Sequence, residues 1–156
     1  MKKTVVLGAG NELLGDEGVG VHAVRILHEE LPLSHTDIEV IDGGTSPDIC
    51  HLIQGAYKLV IVDAVKGGFA PGTIYRFTPD QIAQENIVTT SVHQVGILEA
   101  LKMMELMGDK PEETVIIGIE PSDIAVGLEL SQELLARMPE FIQIICGEIG
   151  LSLDTN

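Results

Sequence analysis

Asp16 and Glu17 stand in a glycine-rich stretch, GAGNELLGDEGVG at residues 8–20, that otherwise resembles a phosphate-binding loop. Gly10 and Gly15 have the spacing of such a loop, but the acids occupy the two positions where it needs Lys and then Ser or Thr. The third glycine of a dinucleotide fingerprint is replaced by Leu13. Two carboxylates in a partly dry site repel a pyrophosphate, so the loop is suited to a cation. Asp42 before a Gly-Gly pair, Asp63 ending an apolar run, His93 after Thr89-Thr90-Ser91 and Glu120 before Pro121 are further candidates. Glu17, Asp63 and His93 together make a set of two oxygen donors and one nitrogen donor. Such a set suits a borderline divalent ion such as nickel or zinc and leaves positions open for substrate or water. Metal entry would relieve the repulsion between the acids, so binding should depend on pH. A plainer reading stands beside this one. Asp42 would form a turn, Asp63 would cap the next turn, and Glu17 would complement a helix dipole. His93 would be a helix-start residue bonded to backbone, and Glu120 a loop residue.

These residues are far apart in sequence, so a fold must gather them. Residues 4–9 predict a strand, and 18–31 a helix with Val21, Val24, Leu27 and Leu31 along one face. A strand at 37–42, a GGTSP turn and a helix near 47–55 follow. The run at 58–65 is almost wholly apolar, as in a strand covered on both faces. KGGFAPG is a tight turn that predicts an antiparallel return by TIYRF. After a polar connection at 79–90 come a helix over about 93–107, a last core strand over 114–120, and a helix capped by Ser131. Pro139 predicts a kink or restart in that helix. The alternation predicts an α/β protein, a three-layer α/β/α sandwich around a mostly parallel sheet with one antiparallel strand. Ligands of open sheets sit beyond the carboxyl ends of the strands. Asn11, Asp16, Glu17, Asp42, Thr45, Asp63, His93 and Glu120 all fall there, so four segments deliver carboxylates to one edge.

The 156 residues carry 24 acids against 9 bases, a formal charge of −15. That balance argues against nucleic acid and anionic membranes as partners, since both need a basic footprint. The start MKKTVVLGAG imitates a signal peptide, but its apolar stretch breaks at Asn11-Glu12 without a cleavage site. A cytoplasmic protein of one domain, residues 1–156, is expected, and nothing argues for more than a monomer. Cys50 and Cys146 are read as buried thiols rather than a disulfide or metal pair. No general base is arranged around Ser46, Thr89, Thr90 or Ser91, which disfavours a serine-type triad.

GAGNELLGDEGVGVHAV is similar to the opening signature of the hydrogenase maturation proteases. IDGGTSP (41–47), VDAV (62–65), TTSVHQVG (89–96) and GIEP (118–121) resemble that family's later blocks, in the same order. The resemblance covers nearly the whole chain. It implies a five-stranded sheet, a metal site of Glu17, Asp63 and His93, and a role for Asp42 in substrate or metal recognition. Asp16 is expected to support that recognition, to orient Glu17 or to cap the helix. The implied activity is one endoproteolytic cut that removes the C-terminal extension of a NiFe hydrogenase large-subunit precursor after nickel insertion. Nickel would be borne by the substrate or bound by the protein, with zinc or another divalent ion able to substitute, and hydrolysis would be metal-assisted. Two other classes stay open at this point: a non-enzymatic metal-binding or chaperone-like module for the same precursor, and a Rossmann-like nucleotide binder. A clan relative acting on another precursor, such as a spore protein, is a narrower third.

Overall fold

Five apolar runs form the strands of one sheet: β1 (Thr4–Ala9), β2 (Ile38–Gly44), β3 (Lys58–Ala64), β4 (Ile74–Phe77) and β5 (Glu113–Ile119). The computed structural model describes residues 2–31, 37–45, 49–81, 92–122 and 125–151, the side chains of 92–95 excepted. The strand order is β2-β1-β3-β5-β4, with every pairing parallel except that of β4 with β5. Four helices complete the described elements: α1 (Val19–Glu30), α2 (Ile49–Leu52), α3 (Val92–Leu106) and α4 (Gln132–Glu148). A short 3-10 helix, Gly15–Gly18, leads into α1.

Alternation along the strands divides the core in two. Val6, Val60, Val62 and Ile117 pack on one face with Val24 and Leu27 of α1 and Phe141 and Ile145 of α4. Val5, Leu7, Leu59, Ile61 and Ile116 pack on the other with Ile49 of α2 and Ile97, Leu101 and Met104 of α3. The result is the expected α/β/α sandwich with a mostly parallel sheet. Gly20 lets α1 lie close on the sheet, because a Cβ there would run into the Val62 and Ala9 carbonyls.

Two expectations are corrected. The TIYRF strand does not pair back on the strand preceding its turn. β5 lies between β3 and β4, with Ile74 opposite Ile119 and Phe77 opposite Ile116. The central place goes to β5 because it is buried from Val115 to Ile119, whereas β4 leaves Arg76 exposed and suits an edge. Val65 N–H donates to the Ile119 carbonyl (3.0 Å) and Gly72 N–H to the Glu120 carbonyl (2.9 Å), which ties the crossing turn to the end of β5. Second, of the kink or restart expected at Pro139 the restart does not occur, because α4 runs through it as one helix. An interior proline costs about 3 kcal/mol. Burial of Leu134, Met138, Phe141, Ile142 and Ile145 outweighs it at roughly 1.5–3 kcal/mol per side chain. No helix among the described residues is long and apolar enough to cross a membrane.

Candidate active site

The parallel strands end together, and the loops that leave them build the crevice. Asp63 is the penultimate residue of β3 and is 1% exposed. Its Oδ1 accepts a hydrogen bond from the Ala64 N–H at 2.8 Å, while its Oδ2 is buried with no hydrogen-bond partner among the described residues. Burial pushes the Asp63 carboxyl well above the usual aspartate range. The Ala64 amide acts against that shift, and the charge of Glu17 adds to it.

Glu17 is brought over β3 by the turn that leaves β1. Gly10 makes this possible: it adopts φ +125°, and a Cβ there would run into the Glu17 carbonyl and stand 3.4 Å from Asp63 Oδ1. The glycines thus pack the loop against itself and against Asp63, which is a different use from cradling phosphate. His93 is the second residue of α3, and its side chain lies outside the described residues. α3 feeds β5 through residues 107–112, and its fifteen residues span about 22 Å. A helix of that length lying on the sheet starts at the carboxyl edge, so the backbone of His93 belongs to the same end of the molecule as Asp63. Among the described residues no three His, Cys, Asp or Glu side chains gather into a metal-sized group. The pair that does come together is Glu17 with Asp63.

Asp16 is not presented to a ligand as its place beside Glu17 suggested. It is 1% exposed, and its Oδ2 accepts from the Ser122 N–H (2.9 Å) and the Ser131 hydroxyl (2.7 Å). Its Oδ1 accepts from the Ser131 N–H at 2.7 Å. Ser131 Oγ in turn caps α4 by accepting from the Leu134 N–H at 3.4 Å, as its sequence position predicted. One buried carboxylate therefore ties the β1 loop to both the exit of β5 and the start of α4.

Asp42 stands apart from the Glu17–Asp63 pair, on the far side of β1. It is exposed and lies 3.4 Å from Arg25 Nη2, while Arg25 Nη1 holds Glu12 at 2.6 Å. Asp42, Gly10, Asn11, Val21 and Thr45 line a shallow pocket of about 210 Å³ beside the β1 loop. Arg25 was not singled out from sequence, although an arginine on the helix following an acidic loop is a usable signal.

Glu120 is buried, and its Oε1 accepts from the Gly67 N–H (2.8 Å), the Phe69 N–H (3.2 Å) and the Tyr75 hydroxyl (2.7 Å). It anchors the β3–β4 turn rather than serving the crevice. Burial, and then the bond to Glu120, pushes the Tyr75 phenol up to about 12. Tyr75→Phe should lower unfolding free energy by about 1–2 kcal/mol, read as a lower urea midpoint at unchanged slope. In a Tyr57→Phe background, ultraviolet titration should find the remaining tyrosinate forming only near 12.

The whole chain can now be set beside known proteins. Residues 21–148 match the family model described as hydrogenase maturation protease. A hydrogenase expression/formation protein, HupD of Thiocapsa roseopersicina, is 35% identical over 122 residues, 77% of this chain and 55% of that relative. Similar relatives from Rhizobium leguminosarum and Cupriavidus necator are covered to 61% and 60%, so the chain spans less than two thirds of these proteins. The hydrogenase 2 maturation protease of Escherichia coli is 28% identical over 146 residues, covering 92% of this chain and 88% of that one. The solved structure of the hydrogenase maturating endopeptidase HybD from Escherichia coli superimposes with a TM-score of 0.84 at 25% identity, covering 97% of this chain and 96% of that one. With the five-stranded fold in common and the family match running from α1 to the end of α4, this chain belongs to the hydrogenase maturation protease family.

Proposed function

We propose that this protein is a single-domain endopeptidase that removes the C-terminal extension of a NiFe hydrogenase large-subunit precursor after nickel has been inserted. One observation carries the reading: a fully buried carboxylate, Asp63, keeps one oxygen without a partner beside Glu17, at the edge where this fold places its ligands. An orphaned buried oxygen is costly in a merely structural role. The printed names of the relatives, a maturation protease and a maturating endopeptidase, support peptide hydrolysis as the chemistry.

Glu17, Asp63 and His93 are the residues that would hold a divalent ion, and the orphaned Oδ2 fits that use. A bound nickel or zinc ion would supply Lewis acidity toward a carbonyl and lower the pKa of water. The chain's own residues do the rest. The Ala64 amide holds Oδ1 of the Asp63 carboxylate and leaves Oδ2 for a ligand, and burial keeps bulk water from it. Glu17, on the 3-10 turn and half-buried, is the acid placed to take a proton from an attacking water. Asp42, exposed one strand away, is assigned to substrate recognition. Nickel is expected to arrive with the precursor, as part of the substrate. The reaction is placed in the cytoplasm, consistent with Cys50 and Cys146 being unpaired thiols. A charge of −15 opposes self-association and favours a monomer.

The test is the intact mass of a cognate precursor incubated with the protein, nickel-loaded and nickel-free. Loss of one C-terminal peptide from the loaded form alone is expected. Cleavage irrespective of nickel would remove the nickel gate, and no cleavage of a competent precursor would leave a binding module in place of an enzyme.

A further inference from the structure

We propose that Phe69, in the middle of the turn joining β3 to β4, is a specificity-determining residue of the candidate site, and that it takes an apolar side chain of the precursor close to the cut. This rests on the peptidase reading and names the chemistry that the site selects there.

The turn, residues 65–73, leaves β3 directly after Asp63 and Ala64, at the sheet edge that carries the candidate acids. Asp63 stands opposite Gly118 on β5, and Gly118 stands opposite Tyr75 on β4. Residues opposite one another across a sheet share a face. Asp63 and Tyr75 therefore lie in one row on one face, two strand spacings or about 10 Å apart. The core packing agrees. Tyr75 packs against the cluster that contains Leu59 and Ile61, and Asp63 follows Ile61 by two residues on the same strand. Gly118 adds no side chain to the row. Val65 stands where a Gly118 side chain would be, so the chain leaving β3 bends across β5 toward β4.

There the turn is pinned. One oxygen of the buried Glu120 carboxylate accepts from the Gly67 N–H, the Phe69 N–H and the Tyr75 hydroxyl. The Phe69 backbone is thus fixed beside the residue that closes the row from Asp63. Its ring meets that of Tyr75 with centroids 6.3 Å apart, yet it is 70% exposed. Phe77 and Phe141, the other phenylalanines of the chain, are 4% and 0% exposed. A single exposed apolar residue is ordinary. What sets Phe69 apart is a buried acid holding its backbone, in register with Asp63. An aromatic ring on a fixed backbone offers a large apolar contact and loses little conformational freedom on binding. It favours an apolar side chain, because a charged or polar one would be desolvated against it without a partner. An extended peptide advances about 3.3 Å per residue, so a bond held at Asp63 puts a residue about three to five positions away within reach of Phe69.

The experiment compares full-length Phe69→Ala and Phe69→Leu with wild type. Each is titrated with nickel-free precursor, which reports binding without cleavage, and then assayed on nickel-loaded precursor. Phe69→Ala should raise Kd and KM about tenfold, with kcat at saturating precursor and the melting temperature held. Phe69→Leu should restore most of the loss. A second set replaces each apolar precursor residue within about five positions of the cut with Ser, one at a time. One of these should cost wild type about tenfold in kcat/KM and cost Phe69→Ala little more, the non-additivity of two groups in contact. Unchanged Kd and KM in Phe69→Ala would overturn the contact and leave the peptidase reading intact. A raised KM that comes with a lower melting temperature and is not rescued by Leu would make the residue structural and overturn its role in specificity. Effects that add for every precursor substitution would place Phe69 away from the cut and overturn the assignment. Wild-type protein that binds precursor and never cuts would end the peptidase reading, and the Kd of Phe69→Ala would still decide whether Phe69 meets the precursor.

Discussion

Asp63→Asn is expected to abolish processing and, in metal-free protein at neutral pH, to make the fold harder to unfold. The two effects share one cause. Asp63 is 1% exposed, its Oδ2 has no partner, and burial with Glu17 nearby opposes its ionisation. Its folded pKa lies above its unfolded value, near 3.9, so the native state binds the proton more tightly. The associated stability is therefore fully present below the unfolded pKa and is lost as pH rises through the folded pKa. As pH rises above the unfolded pKa, the cost of keeping Asp63 protonated or of ionising it in the core burdens the fold, and a neutral asparagine carries no such cost. The stability advantage of Asp63→Asn should then be largest at neutral pH and shrink as pH falls toward 4. Urea midpoints of both proteins across that range measure it. Loss of an outer-shell partner alone typically costs 10–100-fold in metal affinity or activity. If Asp63 is a ligand as proposed, its replacement should cost processing about 100-fold or more, read as the rate of precursor mass loss. Wild-type processing would remove Asp63 from the machinery. A variant less stable than wild type at neutral pH would refute the account of the buried charge.

The legible part of this molecule was the part set by local pattern. The nearly continuous apolar run at 58–65 announced β3 as a covered strand, because strands buried on both faces have no polar alternation to interrupt them. The rule that ligands gather at the carboxyl ends collected eight residues, Glu17, Asp63 and His93 among them, and of these the structure brings Glu17 and Asp63 together. The position of β4 was illegible for a physical reason. A turn such as KGGFAPG fixes the reversal of the chain, but not which strand wins the adjacent place. That depends on competition between the return strand and β5, which starts 36 residues after β4 ends. The partners that hold Asp16 were illegible for the same kind of reason. Its partners Ser122 and Ser131 lie 106 and 115 residues along the chain, beyond any window in which spacing is informative.

The buried tie of Asp16 is what sets the geometry of the crevice, and Asp16→Ala should show it as the largest loss of stability among the site acids. The carboxylate accepts two backbone N–H groups and one hydroxyl. A hydrogen bond to a charged group contributes about 1.5–3 kcal/mol. Ser122 is exposed and Ser131 half-buried, so water takes up part of what is lost, and the expected loss is about 2–4 kcal/mol. A fold of this size has roughly 5–15 kcal/mol in total, so the variant should stay folded with a clearly lower urea midpoint. Ser131→Ala removes one hydroxyl bond and the α4 cap but leaves both amides on Asp16, and should cost only about 1–2 kcal/mol. The ordering of the two variants in urea is the decisive readout. If Ser131→Ala proved as damaging as Asp16→Ala, the helix cap and not the carboxylate tie would be the element that matters. The structural consequence reaches function through the β1 loop. Asp16 and Glu17 are adjacent on one 3-10 turn, so the bond network that fixes Asp16 also fixes the direction from which Glu17 meets Asp63. The paired acids of the opening loop are therefore a division of labour: one fastens the turn to the far end of the sheet, and the other faces the chemistry.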